Sequence, residues 1–210
     1  GAIAECRRLN IPVLPPDINK SSSDFIIERF QGTPSIRFSL TAIKNVGHAA
    51  LESVLAERDR EGHFTNIEAF CRRADLRNIN RKVLESLIKA GALDSLAPRG
   101  ALLGGINQII SLSLREKQLK ESGQSTMFDL WGQAASLPMP SLELESVDIS
   151  TKEKLAWEKE LMGVYLSDNP FSSLAGKSAP GNITLCGQID TDLVGENVQV
   201  AGMVASVSHL

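Results

Sequence analysis

The segment Ile43 to Gly47 is the part of this chain whose residue types best fit a chemical role, the binding of a phosphate group. Gly47 precedes a predicted helix that begins at His48, and a glycine there lets the backbone approach an anion closely. The first N–H groups of a helix have no partner within the helix, and the positive end of the helix dipole lies behind them. Asn45 accepts the left-handed conformation that glycine more often supplies. The pattern therefore predicts a turn that can bind phosphate through its backbone.

A turn of this kind between two short helical segments is what a helix-hairpin-helix DNA-binding motif requires. We expect Val46 to lie inward between the two segments. The residues alone leave two interpretations open, because similar turns also join helices that never contact DNA. The first is weak, sequence-independent binding of duplex DNA, and the second is a helical protein-interaction module without DNA contact. The candidate DNA-contacting residues occupy this turn and the beginning of a later helix: Lys44, Asn45, Val46, Gly47, His48, Asn80, Arg81 and Lys82.

The charge distribution is weakly asymmetric. The net charge is −3. Residues 1–100 carry 15 Lys and Arg against 12 Asp and Glu, whereas residues 101–210 carry 7 against 13. This basic excess is too small to hold DNA by charge alone, and it fits an accessory contact within a larger assembly.

Several classes of protein do not fit the sequence. No apolar run is long enough to cross a membrane and no signal peptide is evident, so we expect a cytoplasmic protein. Cys6, Cys71 and Cys186 are far apart and form no CxxC pair, which argues against a disulfide framework or a zinc site. The acidic pair in Asp190-Thr191-Asp192 lies in a polar turn. We therefore predict no catalytic residue, no metal site and no cofactor in this chain.

The fold class is predicted to be mainly α. A small β-hairpin is expected around Gly32-Thr33-Pro34, and β runs are expected at 183–189 and 198–205, where the sequence reads as the truncated start of a β domain. Capping boxes are predicted at 65–68 and 150–153. The glycines of the pair Gly104-Gly105 interrupt a helical pattern and indicate close packing. The predicted helices cover residues 2–9, 48–58, 65–73, 81–90, 99–120 and 150–164.

The composition changes at Glu121. From there to Ile149 the chain has no Lys or Arg, has five acidic residues, and reads as an exposed linker. Gln124-Ser125-Thr126-Met127-Phe128, followed by Leu130 and Trp131, places large apolar side chains within it. These side chains either dock into another protein or fold back on the helices, and the residues themselves do not decide between the two.

Five segments, in order, resemble the bacterial DNA polymerase III alpha subunit, a replicative polymerase: 10–19, 39–47, 80–94, 158–170 and 198–207. The resemblance covers nearly the whole chain. It implies the end of a fingers domain at 1–38, a tandem helix-hairpin-helix domain at 39–121, and an acidic linker with a clamp-binding motif at 122–149. A connecting helix at 150–180 and the start of an OB-fold at 181–210 would follow. The family usually has glycine where Asn45 stands.

The resemblance also implies partners. Gln124, Thr126, Met127 and Phe128 resemble the signature with which proteins dock the β sliding clamp, and the other expected partners are duplex DNA and further subunits of the replicative holoenzyme. The family's Mg²⁺-binding catalytic aspartates belong to a region upstream of residue 1, so the parent, and not this chain, is expected to use Mg²⁺. An error-prone repair polymerase of the same family is the alternative.

Overall fold

A computed structural model describes residues 2–121, 142, 144–145, 147–167 and 191–198. The chain divides into two compact units, Gly1–Leu166 and Ser167–Leu210. The described part of the second unit contains one 3₁₀ turn, Thr191–Leu193. The helices of the first unit are α1 Ala2–Arg8, α2 His48–Glu61, α3 Ile67–Arg73, α4 Arg81–Lys89, α5 Arg99–Gly104, α6 Ile106–Glu121 and α7 Thr151–Met162. The mainly helical prediction is confirmed for the described residues.

A three-stranded sheet lies between α1 and α2 along the chain. Its strands are β1 Val13–Leu14, β2 Ile26–Phe30 and β3 Thr33–Arg37, in the order β1-β3-β2. The predicted hairpin is confirmed, but its turn lies at Gln31 and Gly32, whose φ values are 51° and 82°. Thr33 and Pro34 belong to β3, so the turn is one or two residues earlier than the sequence suggests. The parallel pairing of β1 with β3 was not predicted, since two residues are too few to give a periodic pattern.

The core lies among the helices. α4 carries its apolar residues on one side, and Leu87 and Ile88 are fully buried there. Leu51 and Val54 from α2, Phe70 from α3 and Ile109 from α6 complete the same cluster. Burial of this apolar surface, rather than the intrinsic helix propensity of short segments, holds such helices in place.

Two local predictions are wrong in detail. The residue that caps α3 is Asn66, whose side chain accepts a hydrogen bond from the Ala69 N–H, so Thr65 is not the capping residue. The predicted helix 99–120 is two helices, because the helical conformation is interrupted between Gly104 and Ile106. A Cβ on Gly105 would lie 2.1 Å from the Leu144 Cδ2, so the expected close packing is confirmed for Gly105, whereas a Cβ on Gly104 would meet nothing closer than 3.7 Å.

The predicted capping box at 150–153 is confirmed, since Ser150 and Glu153 form a full capping box at the beginning of α7. Glycines with positive φ follow two other helices: Gly62 after α2, with φ 81°, and Gly91 after α4, with φ 82°. The clamp-like residues Gln124, Thr126, Met127 and Phe128 lie outside the described residues. The predicted β runs 183–189 and 198–205 also lie outside them, except for Val198.

Candidate nucleic-acid interface

The turn before α2 has the conformation that the sequence predicts for Asn45 and a different one for Gly47. Asn45 is left-handed, with φ 70°. The Val46 N–H donates to the Ile43 carbonyl at 3.0 Å and closes the turn. Gly47 is extended, with φ −93°, which any residue could adopt. A Cβ there would meet no atom within 4 Å, so glycine at this position leaves open surface rather than relieving strain.

The turn presents its backbone and polar side chains outward. Lys44, Asn45, Gly47 and His48 are all exposed, while Val46 is only 5 % exposed and packs in the core. Val46 therefore supports the turn from within, as the sequence predicts, and any contact it makes with a ligand is through its backbone.

The N–H groups of the turn are partly engaged. The Lys44 N–H donates to the Leu161 carbonyl of α7 at 2.8 Å, and the Val46 N–H closes the turn itself. No side chain caps α2, whose N-cap is Gly47. The N–H groups of Gly47 and His48 have no hydrogen-bond partner among the described residues, and both residues are exposed at the positive end of a helix of 14 residues.

The three predicted residues at the beginning of α4 have different environments. The Asn80 side chain accepts a hydrogen bond from the Val83 N–H at 3.0 Å and caps the helix. The exposed Arg81 guanidinium donates to the Asn107 side-chain carbonyl of α6. Lys82 is exposed. Asn80 therefore has a structural role, and Arg81 and Lys82 supply positive charge at the surface.

Two hydrogen bonds bring these two groups of residues together. The Asn45 Nδ2 donates to the Ser86 Oγ of α4 at 3.1 Å, and the Asn78 Nδ2 donates to the Ala49 carbonyl of α2 at 3.2 Å. The exposed turn and the beginning of α4 therefore adjoin on one surface. Sequence reasoning did not identify Asn78 or Ser86, because a contact 29 or 41 residues away along the chain leaves no local pattern.

Comparisons with known proteins agree with this geometry. Residues 10–102 match the model of a family described as "Helix-hairpin-helix motif". The chain is 32% identical over 208 residues to the DNA polymerase III subunit alpha of Chlamydia pneumoniae and 33% identical over 208 residues to that of Thermus aquaticus, in each case covering 98% of this chain. The Mycobacterium tuberculosis subunit is 34% identical over 99% of this chain.

This chain belongs to the DNA polymerase III alpha subunit family. It spans 16% of the length of the Chlamydia pneumoniae and Thermus aquaticus relatives and 18% of the Mycobacterium tuberculosis relative. The helix-hairpin-helix match covers residues 10–102 and so includes the three-stranded sheet, α2, α3, α4 and the first part of α5.

A second turn of similar sequence in this polymerase segment is buried. Ile88-Lys89 leads into Gly91 with a positive φ, much as Ile43-Lys44 leads into Asn45. Gly91 and Ala92 are buried, and the Ala92 carbonyl accepts a hydrogen bond from the Ile18 N–H at 2.7 Å. The segment between β1 and β2 therefore covers the second turn, while the first turn is exposed and can contact a ligand.

A cavity of about 520 Å³ lies between α3 and α6. Its rim is basic, but Arg73 bonds to Glu57, and Arg77 bonds to Asp75 and holds the pKa of that carboxyl below its usual range. Burial raises the pKa of the Cys71 thiol on its wall to about 12. The thiol therefore stays protonated at neutral pH and is a poor nucleophile.

Among the residues that the structure describes, no group of His, Cys, Asp and Glu side chains could hold a metal ion. Of the acidic pair in Asp190-Thr191-Asp192, Asp190 lies outside the described residues, and the backbone at Asp192 is part of the 3₁₀ turn. No helix in the described ranges is long and apolar enough to cross a membrane.

Proposed function

We propose that the exposed turn Lys44–His48 and the beginning of α4 bind duplex DNA through its phosphates, as part of a DNA polymerase III alpha subunit. The observation that carries this proposal is that the N–H groups of the exposed residues Gly47 and His48 have no partner among the described residues, with Lys44 in the same turn and Lys82 on α4. Contacts to phosphates carry no base information, so the binding is independent of sequence.

The proposed contact is weak because the surface carries few positive charges. These charges are Lys44, Arg81 and Lys82, and a protein that neutralises few phosphates binds DNA weakly at physiological salt. Such a contact suits a segment that follows the duplex while another part of the same polymerase holds the primer end. The resemblance of the chain and its helix-hairpin-helix match support this role.

The test is a titration of two unrelated duplexes with the chain at several salt concentrations, with fluorescence anisotropy as the readout. The double variant Lys44→Glu, Lys82→Glu should weaken binding equally for both duplexes and lower the salt slope by about two. The matched control Lys20→Glu, Lys152→Glu reverses two exposed lysines outside the surface and should bind almost as the unaltered chain does. Binding that responds neither to salt nor to the first pair would favour a protein-interaction module.

We also propose that Gln124, Thr126, Met127 and Phe128 dock the β sliding clamp. The support is the resemblance of these residues to clamp-binding signatures and their position in an acidic stretch directly after α6. Two apolar anchors and one glutamine offset the entropy cost of ordering the segment only modestly. We expect micromolar affinity, roughly −8 kcal/mol, which suffices for a polymerase that meets its clamp on the same DNA.

A calorimetric titration of the clamp distinguishes this proposal from its alternative. The double variant Gln124→Ala, Phe128→Ala should abolish binding, while Gln133→Ala, a glutamine change in the same stretch, should leave it intact. Equal binding by the unaltered chain and the double variant, or no binding at tens of micromolar, shows that the segment is only a linker.

For the whole protein we propose DNA-directed DNA polymerase activity in the cytoplasm, with Mg²⁺ and the other holoenzyme subunits. We propose that this chain contributes no catalytic residue to that activity. Its described part contains no cluster of carboxylates that could hold the metal ions of a polymerase. Primer extension by the purified chain, above a contaminant control, would contradict this division of roles.

A further inference from the structure

α7 contacts the proposed phosphate-binding turn directly. The Leu161 carbonyl accepts the Lys44 N–H at 2.8 Å, one residue before the left-handed Asn45. Leu161 lies in the last turn of α7, where backbone carbonyls lack a partner within the helix. The Lys44 N–H and the Leu161 carbonyl therefore satisfy each other's hydrogen-bonding capacity. The carbonyl, which has no partner within α7, orients the backbone that leads into the turn.

Side-chain packing holds α7 in the position that this bond requires. The Leu161 side chain is 6 % exposed and belongs to the core cluster. The Trp157 ring lies 5.6 Å from the Lys89 Nζ, and Lys89 also pairs with Glu85 within α4. α4 in turn holds Asn45 through Ser86. The turn is thus hydrogen-bonded to two helices, α4 and α7, which also contact each other.

We infer that Leu161 of α7 is a positioning residue for the DNA-binding turn, which it holds in the phosphate-binding conformation through the Lys44 N–H. The inference rests on the proposed function. A backbone site binds an anion well only if its donors already point at the ligand, since ordering them on binding consumes affinity. The helix after the linker is therefore part of the DNA-binding device rather than a connector alone.

The test compares Leu161→Ala with Leu155→Ala. Both changes truncate a leucine of α7, but Leu155 is half-buried and lies outside the core cluster. Leu161→Ala should weaken binding of duplex DNA by about three- to ten-fold and should speed hydrogen exchange of the Lys44 amide by about ten-fold. Leu155→Ala should change neither. Leu161→Met, which keeps the volume, should restore both values.

Each result has a separate meaning. If the unaltered chain shows no salt-dependent DNA binding, the proposed function fails, and the inference fails with it. If it binds DNA but Leu161→Ala binds as well, only the inference is overturned. The same holds if affinity falls while exchange of the Lys44 amide stays slow, because the loss then does not come from a weakened Lys44 hydrogen bond. Should Leu161→Ala not fold, the milder Leu161→Val is judged by the same two measurements.

Discussion

The side-chain amide of Asn45 donates a hydrogen bond to the hydroxyl of Ser86, with 3.1 Å between Nδ2 and Oγ. Asn45 lies in the exposed turn, and Ser86 is a buried residue of α4. Asn45 therefore has two roles, a left-handed backbone with φ 70° and a bond to the neighbouring helix. A glycine at this position would fulfil only the first.

Replacement of Asn45 should separate these two roles. Asn45→Ala loses the bond and places alanine in a left-handed conformation that asparagine tolerates better. The change should lower the free energy of unfolding by about 2 kcal/mol. Asn45→Gly loses only the bond and should cost about 1 kcal/mol or less. Urea denaturation followed by circular dichroism measures both. Combining Asn45→Gly with Ser86→Ala should give a coupling energy of about 0.5–1 kcal/mol, and purely additive effects would contradict the contact.

Three neighbouring glycines should respond differently to alanine. A Cβ on Gly100 would lie 1.7 Å from the Val147 carbonyl oxygen, whereas one on Gly105 meets the movable end of the Leu144 side chain. A backbone atom yields less easily than a side chain, so Gly100→Ala should cost about 3 kcal/mol and Gly105→Ala about 1–2 kcal/mol.

Gly104 provides the matched control for these changes. Its Cβ would meet nothing closer than 3.7 Å. Because Gly104 lies in α5, alanine there should be neutral or stabilise the chain by up to about 1 kcal/mol. Thermal unfolding of the three variants gives the order, and equal losses at all three positions would contradict the close packing of Val147 on Gly100 and of Leu144 on Gly105.

The cap of α3 offers a prediction that distinguishes two adjacent residues. Asn66→Ala removes the acceptor of the Ala69 N–H and should cost about 1 kcal/mol. Thr65→Ala removes no cap and should cost only a few tenths of a kcal/mol. Chemical denaturation of the two single variants is sufficient, and a larger loss for Thr65→Ala would restore the capping box that the sequence suggests.

The pair between Glu28 of β2 and Arg37 of β3 should make stability depend on acid pH. The hydrogen bond from the Arg37 guanidinium holds the pKa of the Glu28 carboxyl below its usual value of 4.5. Because the pKa is lower in the folded state, the pair contributes stability above about pH 4.5, and this contribution is lost as the pH falls through the folded-state pKa.

Glu28→Gln should therefore cost about 1 kcal/mol at pH 7 and progressively less below pH 4.5. Denaturation curves between pH 7 and pH 3 measure the difference. Glu52→Gln, at an exposed position of α2, is the control and should show little difference at any pH. A cost that is the same at both ends of the range would rule out the ion pair as its source.

Local signals in the sequence were sufficient where a single residue type decides the conformation. The left-handed Asn45, the buried Val46 and the capping box at Ser150 all follow from chemistry within a few residues of chain. The break between α5 and α6 was missed because the apolar stripe continues through it, although the close packing of Gly105 was expected.

Local sequence signals could not predict the contacts that shape the candidate site. The bonds from Lys44 to Leu161, from Asn45 to Ser86 and from Ile18 to Ala92 join residues far apart along the chain. Two turns of similar sequence therefore differ in exposure, and only the tertiary structure shows which one is covered. Patterns of local sequence carry no information on which segment will pack across them.

The chain that leaves α6 contacts the helical region again at Leu142, through α3. The Leu142 N–H donates to the Glu68 carboxylate at 3.1 Å, so the stretch that leaves α6 after Glu121 is fastened to the same helical body at its other end. Phe128 follows Glu121 by seven residues, and an extended chain spans at most about 3.5 Å per residue, or roughly 25 Å in all. If Phe128 docks a clamp as proposed, the docking pocket lies within that distance of the end of α6.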